Sequence, residues 1–394
     1  MKEGWTYKKL EEVCEVFCDG DWIESKNQSA DGIRLIQTGN VGNGVYKDKA
    51  DKSKYISEKT FKELNCTEIF AGDILVSRLP DPIGRACVVP KSDSRMITAV
   101  DCTIIKVKDY LNSKFFVYYT QSKEYSRYIE KYTTGATRKR ISRSNLGLIK
   151  VPFPSLIKQQ QIVSELDLLS DVIEKKKAQI EELDKLAQSL FYDMFGDPVI
   201  NEKGWIIRKL GEICDVRDGT HDSPSYLLSS DYVLITSKNI QGDSIDFSTA
   251  NFISKEDYDN INKRSYVDDG DIIMAMIGTI GKPIIVKRND INFCIKNVAL
   301  IKFCDKDEVL NIYIKGLLDN ESYISYIQGL NKGGTQKFVA LGTLRGLRVP
   351  LSPLALQQEY AAKIEVIEQM KAKVRQSLKE TEELFNSRMD YYFN

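Results

Sequence analysis

The sequence predicts an α/β (α+β) chain: two copies of one globular domain, separated by two long α-helices that form an antiparallel coiled coil. Three observations carry this. The chain repeats its own motifs in order about 200 residues apart, each copy closes on a long amphipathic helix, and 394 residues are too many for one ordinary core. A repeat this long is not a solenoid period but a duplicated domain-plus-helix unit with approximate two-fold symmetry. The spacing predicts domains at 1–155 and 199–353, with spacer helices at 156–198 and 354–394.

The opening elements are a short amphipathic start at 5–17 and its counterpart at 205–216. Gly4-Trp5 returns as Gly204-Trp205, Lys8-Lys9-Leu10 as Arg208-Lys209-Leu210, and Val13-Cys14 as Ile213-Cys214. β-branched runs then predict strands at 33–38 and 232–237, 73–77 and 271–276, 85–89 and 282–286, and 103–107 and 299–303. Gly72-Asp73-Ile74 pairs with Gly270-Asp271-Ile272, and Ile83-Gly84 with Ile280-Gly281. A helix follows in each copy, at 114–132 and 309–328. Next comes a basic glycine loop, then a Val-Pro junction at Val151-Pro152 and Val349-Pro350. The mixture indicates an α/β globule with a curled sheet.

The first long helix carries the sharpest periodicity. Its seam runs Ile162, Leu166, Leu169, Ile173, Lys176, Ile180, Leu183, Ala187, Leu190, Met194, in strict steps of four and three. That alternation is a heptad seam, and the lone polar member, Lys176, disfavours slipped registers. Gly196-Asp197-Pro198 supplies a stop. The second helix starts at Ser352-Pro353, read as N-cap and first-turn proline. Its seam of Ile364, Ile367, Val374, Leu378 and Phe385 is interrupted by Lys371 and Thr381. Roughly 37 helical residues span about 55 Å, or about 16 base pairs of B-DNA at about 3.4 Å each.

Composition excludes several classes. Charged residues are 28 % and hydrophobic ones 42 %, ordinary for a folded domain. No stretch approaches about 20 apolar residues, and the start lacks an apolar secretory core, so a cytoplasmic, membrane-free protein is expected. The eight cysteines are scattered without zinc spacing and read as buried structural thiols, so no metal is expected. The single His221 reads as a loop residue. Gly278-Thr279-Ile280-Gly281-Lys282 is no phosphate loop, because Met276 and Pro283 occupy positions that need glycine and Ser or Thr. No catalytic constellation is found, so the chain is expected to perform no chemistry and to bind no cofactor.

Net charge is zero, yet it is unevenly spread. Residues 131–150 contain Lys131, Arg138, Lys139, Arg140, Arg143 and Lys150 and no acid; residues 329–348 contain Lys332, Lys337, Arg345 and Arg348 and no acid. Such local basic windows suit phosphate, with partners supplying further contacts. The phosphate candidates are Arg138, Lys139, Arg140 and Lys337, with Thr137, Thr335 and Gln336 as short-range donors. Ser77, Arg78 and Arg85 in the first copy, and Lys238, Asn239 and Lys282 in the second, are candidates for base edges.

These features together resemble the DNA specificity (S) subunits of type I restriction–modification enzymes. The resemblance rests on the Gly-Trp openings and on the loops Gly135-Ala136-Thr137-Arg138-Lys139-Arg140-Ile141-Ser142 and Gly333-Gly334-Thr335-Gln336-Lys337. It rests equally on the Val-Pro junctions leading to Gln159-Gln160 and Gln357-Gln358, and on Leu190-Phe191 to Asp197-Pro198. It implies two target-recognition domains, each reading half of a split duplex site, and helices that set the spacing. The helix residues Ile162, Leu166, Leu169, Ile173, Ile180, Leu183, Leu190, Ile364, Ile367, Val374 and Leu378 would form the coiled coil and dock partners. It further implies two methyltransferase subunits that use S-adenosylmethionine, and a restriction/translocase subunit that uses ATP and Mg²⁺. The copies diverge most over 19–49 and 219–248, which predicts an asymmetric bipartite site. A competing reading is a coiled-coil scaffold joining two interaction domains that do not bind DNA; another is an autonomous enzyme with drifted motifs.

Overall fold

The computed structural model describes residues 4–276, 281–288, 290–303, 308–330 and 339–394, with the side chains of Gln241, Gly281 and Lys282 outside that description. The chain forms two compact units, residues 1–176 with 377–394, and residues 177–376.

In the first unit Thr6–Lys9 pairs antiparallel with Lys150–Phe153, tying the domain's entry to its exit. An antiparallel sheet orders Cys14–Asp19, Cys102–Val107, Ile74–Ser77 and Ala86–Val88. A second sheet orders Lys54–Ile56, Ile33–Ile36, Met96–Thr98 and Glu68–Ile69, its middle pair parallel. Ile74–Ser77 is buried along its whole length, so its run is continuously apolar up to Ser77 rather than alternating. The second unit follows the same plan. Ile206–Lys209 pairs with Arg348–Leu351, and Asp215–Asp218, Val298–Lys302, Ile272–Ala275 and Gly281–Ile285 form the antiparallel sheet. Tyr232–Ile235 lies between Asn251–Phe252 and, in parallel, Asn292–Ile295.

Where one helix was expected at 114–132, the structure has two, Ser113–Tyr119 and Lys123–Tyr132. The break is local chemistry: the Ser122 hydroxyl accepts from Tyr125 N at 3.2 Å and starts a new helix. The second copy breaks the same way into Asn311–Leu318 and Glu321–Leu330, where Asn320 Oδ1 accepts from Ser322 N at 3.1 Å.

The long helices span Leu156–Phe195 and Leu354–Phe393, 40 residues each. Gly196 ends the first with φ +78° and donates its N–H to Tyr192 O. The second begins one residue later than the Ser352 cap reading: Pro353 O accepts from Leu356 and Gln357 N, so Ser352 precedes the cap. Within the first unit the two run antiparallel. Lys176 donates to Ser377 O and Thr381 Oγ1, and Arg388 Nη2 donates to Glu165 Oε2 at 3.0 Å. The second unit repeats this sense with Lys371 against Asp184 at 2.6 Å and Phe195 against Tyr360 at 5.2 Å between ring centroids. Ile162, Leu166, Ile173, Leu183, Ile364 and Ile367 are buried, whereas Leu169, Ile180, Leu190, Val374 and Leu378 are half-buried.

Toward each helix's C-terminus the buried face leaves the heptad seam. Phe191 and Phe195 are buried while the seam members Leu190 and Met194 are half-buried. Phe191 stacks on Tyr313 at 5.8 Å and Phe195 meets it edge-on at 4.8 Å. Met389, Tyr392 and Phe393 do the equivalent in the first unit, with Phe393 5.3 Å from Phe115. Each fully buried ring contributes about 1.5–3 kcal/mol, so each helix end is an integral part of a domain core.

Candidate nucleic-acid interface

One end of the first unit's antiparallel sheet gathers four loops. Strand Cys14–Asp19 ends there, Ile74–Ser77 ends there, residues 99–101 lead into Cys102–Val107, and the 134–140 hairpin closes against them. The links are explicit. Arg78 N donates to Asp101 O, Ile141 N to Arg78 O, and Val100 N to Asp21 O.

The hairpin is the most exposed of these loops. Thr134 and Arg140 exchange two main-chain hydrogen bonds of 2.9 Å, pinching off residues 135–139. Gly135 has φ +105°, and a Cβ there would lie 2.5 Å from Arg138 O, so the turn requires glycine. Thr137, Arg138, Lys139 and Arg140 are all exposed. Arg138 has one ion pair, Nη2 to Asp101 Oδ2 at 3.1 Å, with its side chain 71 % exposed. An exposed pair of that kind is weak, so Arg138 can exchange Asp101 for a phosphate. Arg143 reaches the end of strand Cys14–Asp19, 4.0 Å from Asp19.

The base-edge candidates of the first copy are placed differently. Ser77 is fully buried and its hydroxyl donates to Leu79 O. Arg78 is buried, donating to Val100 O at 2.6 Å and pairing with Asp19 at 3.4 Å. Arg85 donates to the carbonyls of Val41, Leu79, Pro82 and Thr38 at 2.6–2.8 Å. Burial pulls its pKa below the ordinary arginine range. These three build the loops rather than extend from them, because a buried guanidinium needs internal acceptors.

In the second copy Asn239 is likewise structural. Its Oδ1 accepts from Thr236 N at 2.9 Å and its Nδ2 donates to Asp246 O at 3.3 Å, as Asn40 bridges Gln37 N and Lys47 O in the first. Lys238 beside it is exposed. The Lys282 side chain and Thr335, Gln336 and Lys337 lie outside the described residues. Val339, the next described residue, donates to Met276 O as Ile141 does to Arg78 O.

The second sheet end also holds His221, read from sequence as a loop residue. Its Nδ1 is 2.7 Å from Asn297 Oδ1 and its Nε2 2.9 Å from Asp218 Oδ2. These bonds to Asn297 and then Asp218 raise its pKa. Arg264 also pairs with the buried Asp218. Seven described cysteines are free thiols, six of them buried, and burial pushes Cys14 and Cys294 up to about 12. Among the described residues no cluster of acids, His and Cys could hold a metal, and no helix is long and apolar enough to cross a membrane.

Comparison with known proteins agrees with this arrangement. The family model of the type I restriction modification DNA specificity domain matches twice, over residues 2–185 and 202–381. The chain is 29 % identical over 238 residues to the type I restriction enzyme MjaIX specificity subunit of Methanocaldococcus jannaschii, covering 56 % of this chain but only 54 % of that relative. It is 23 % identical over 393 residues to the putative MjaX specificity subunit of the same organism, covering 94 % and 88 %. Among solved structures it is similar in fold to the type I restriction–modification S subunit from M. genitalium. That match has a TM-score of 0.54 and 15 % identity, covering 98 % of this chain and 95 % of that one. A chain from a structural study of type I restriction–modification complex assembly gives a TM-score of 0.57 at 16 % identity, covering 100 % and 98 %. With both copies of its domain matched, the chain belongs to the type I restriction–modification DNA specificity family.

Proposed function

We propose that this chain is the DNA-reading subunit of a type I restriction–modification complex, each domain copy recognising one half of an asymmetric split duplex site. The observation that carries this reading is the exposed basic hairpin at the sheet end. Thr137, Arg138, Lys139 and Arg140 project from a glycine-pinned turn on a domain that the chain carries twice. Phosphate contacts of this kind fix register without carrying sequence information; neighbouring loops at the same end then read bases. The second copy uses Thr335, Gln336 and Lys337 in the corresponding role, with Lys238 and Lys282 as further contacts.

The chemistry belongs to partners. Two methyltransferase subunits dock on the long helices and use S-adenosylmethionine, and a restriction/translocase subunit uses ATP and Mg²⁺. An adenine to be methylated must leave the stack, so a reader that holds the duplex while another subunit acts is a physically sensible division of labour. The helices set the unread gap, as dimer geometry sets half-site spacing elsewhere.

The test is a base-resolution N6-methyladenine map of cells carrying the partner genes, with and without this gene. Disappearance of one split, asymmetric motif is expected. An unchanged map would remove the methylation role, and a palindromic motif would contradict two unlike readers.

A further inference from the structure

The two copies carry their chain off the antiparallel sheet by the same path. Asp19 stands opposite Thr103, and Asp218 opposite Ala299, as the last paired residues of their strands. Gly20 N then donates to Cys102 O and Gly219 N to Val298 O, both at 2.9 Å. Asp21 bridges Ala99 in parallel, and Thr220 bridges Lys296 in parallel. A Cβ on either glycine would lie 2.4 Å from a carbonyl, Thr98 O in one copy and Ile295 O in the other. No side chain fits there, so Asp-Gly is kept in both copies.

The copies part at Asp21 and Thr220, and the residue that follows is Trp22 in the first and His221 in the second. Trp22 is 70 % exposed, an indole whose Nε1 reaches Glu24 Oε1 at 3.4 Å. The indole is thus open to a ligand that docks at this end of the sheet. The His221 side chain is 56 % exposed and is held from behind by Asp218 and Asn297. Asn297 itself sits at φ +53°, its N–H donating to Thr220 O. A surface histidine with both ring nitrogens partnered is a positioned group.

In the first copy the location is that of the basic hairpin. Val100 N donates to Asp21 O, one residue before Trp22, and the following residue, Asp101, accepts from Arg138. A duplex held by Arg138 therefore passes the Trp22 loop.

We infer that Trp22 and His221 are equivalent specificity-determining positions, one for each half-site. This inference rests on the DNA-reading function proposed above. The two side chains discriminate by different chemistry. Trp22 offers an apolar plate, for which the thymine methyl is the distinguishing major-groove feature. His221, with both ring nitrogens held by Asp218 and Asn297, presents its ring edge and fixes the Asn297 amide, whose Nδ2 donors suit the N7 and O6 acceptors of guanine.

The test maps N6-methyladenine in cells carrying the partner genes and the full chain as wild type, Trp22→Ala, Trp22→Phe, His221→Ala or His221→Gln. Trp22→Ala should relax base preference in one half-site only and lower methylation of the original motif about tenfold, the usual effect of one lost base contact. Trp22→Phe should restore most of that preference by keeping the apolar plate. His221→Ala should relax only the other half-site, and His221→Gln should change its preferred base or weaken it less. Four alanine-scan results overturn the inference: an unchanged motif, relaxation of both half-sites together, relaxation of the same half-site by both variants, or methylation lost at every site. The first of these, with a clear wild-type motif, leaves the DNA-reading function standing. A wild-type chain that directs no motif at all removes both.

Discussion

Gln159 and Gln357, 198 residues apart, make the same three hydrogen bonds. Gln159 Oε1 accepts from Asn112 N at 2.8 Å, and its Nε2 donates to Tyr110 O and Pro154 O at 3.1 and 3.0 Å. Gln357 Oε1 accepts from Leu310 N at 2.9 Å, and its Nε2 donates to Glu308 O and Ser352 O at 3.3 and 2.9 Å. Both are fully buried in the first turn of a long helix. Each locks its helix to the loop before the paired short helices, which explains why glutamine recurs at the Val-Pro junctions.

Alanine at either position leaves three main-chain groups without partners, so Gln159→Ala and Gln357→Ala should each destabilise the chain by about 2–3 kcal/mol. Glutamate at either site keeps an acceptor and loses the two donors, so it should not rescue. Urea unfolding followed by circular dichroism reads the loss. A shift below about 0.5 kcal/mol would mean that water replaces the amide.

Lys176 breaks the heptad seam, and Thr381 breaks the opposite one. They meet, Nζ to Oγ1 at 2.6 Å, with Ser377 O and Oγ completing the ammonium's acceptors. Removing one partner of such a set costs more than removing both. Thr381→Val alone should cost about 1 kcal/mol. The double variant Lys176→Met, Thr381→Val should recover that loss in a thermal melt while relaxing helix register. Additive losses would show that the two side chains are not coupled.

Asp243, in the turn between Ile240–Gln241 and Ser244–Ile245, joins Arg375, Lys371 and Lys315. Burial alone would raise its pKa, but the Arg375 hydrogen bond and the two lysines hold it at about 2. A carboxyl depressed in the folded state stabilises above its unfolded value of 3.8 and loses that contribution as pH falls from there toward 2. Asp243→Asn should therefore lower stability at pH 7 by about 1–2 kcal/mol, discounted for partial exposure. It should also flatten the acid limb of the stability curve between those values. An unchanged acid limb would assign acid sensitivity to other carboxylates.

His221 is the chain's single histidine, so its imidazole resonances assign themselves in an NMR titration. The Asn297 and Asp218 hydrogen bonds raise its pKa above 6.5, against the nearby Arg264 charge. The stabilisation of the charged form is complete below 6.5 and is lost as pH rises through the folded value. The midpoint should lie above 6.5, and Asp218→Asn should bring it down. A wild-type midpoint at or below 6.5 would dissolve the His221–Asp218 pairing in solution.

The fold was legible because its signals are backbone signals. Repeated glycines, β-branched runs and a four-three seam report periodicity, and the structure has strands and long helices where they mark them, while the short strands Lys54–Ile56, Glu68–Ile69 and Met96–Thr98 carry no such signal. The breaks at Ser122 and Asn320 were hidden because an N-cap inside a helical pattern looks like a tolerated polar residue. The site was legible only in part. Arg138 and its neighbours stand out by charge density without acids. Arg85 and Asn239 carry base-reading side chains, yet spend them on carbonyls and amides of their own loops. Sequence alone does not distinguish an arginine that faces DNA from one that faces Val41 O. The signal that would have found Trp22 and His221 was present in the repeat, as a change of residue at the second position after the shared Asp-Gly.

The Arg138 hairpin gives the most direct test of DNA binding. Arg138, Lys139 and Arg140 are exposed and close together, so each that neutralises a phosphate releases about one counterion. Replacing all three by alanine should weaken binding to specific and unrelated duplexes alike. It should also reduce the slope of log affinity against log salt by about 2 to 3. Asp101 competes with phosphate for Arg138 at 3.1 Å, so Asp101→Asn should strengthen binding modestly at low salt, with little effect at high salt, where the field is screened. Fluorescence anisotropy across a salt series measures all three chains. A triple variant with lower affinity but the wild-type slope would mean that the hairpin shapes the interface without touching the phosphates.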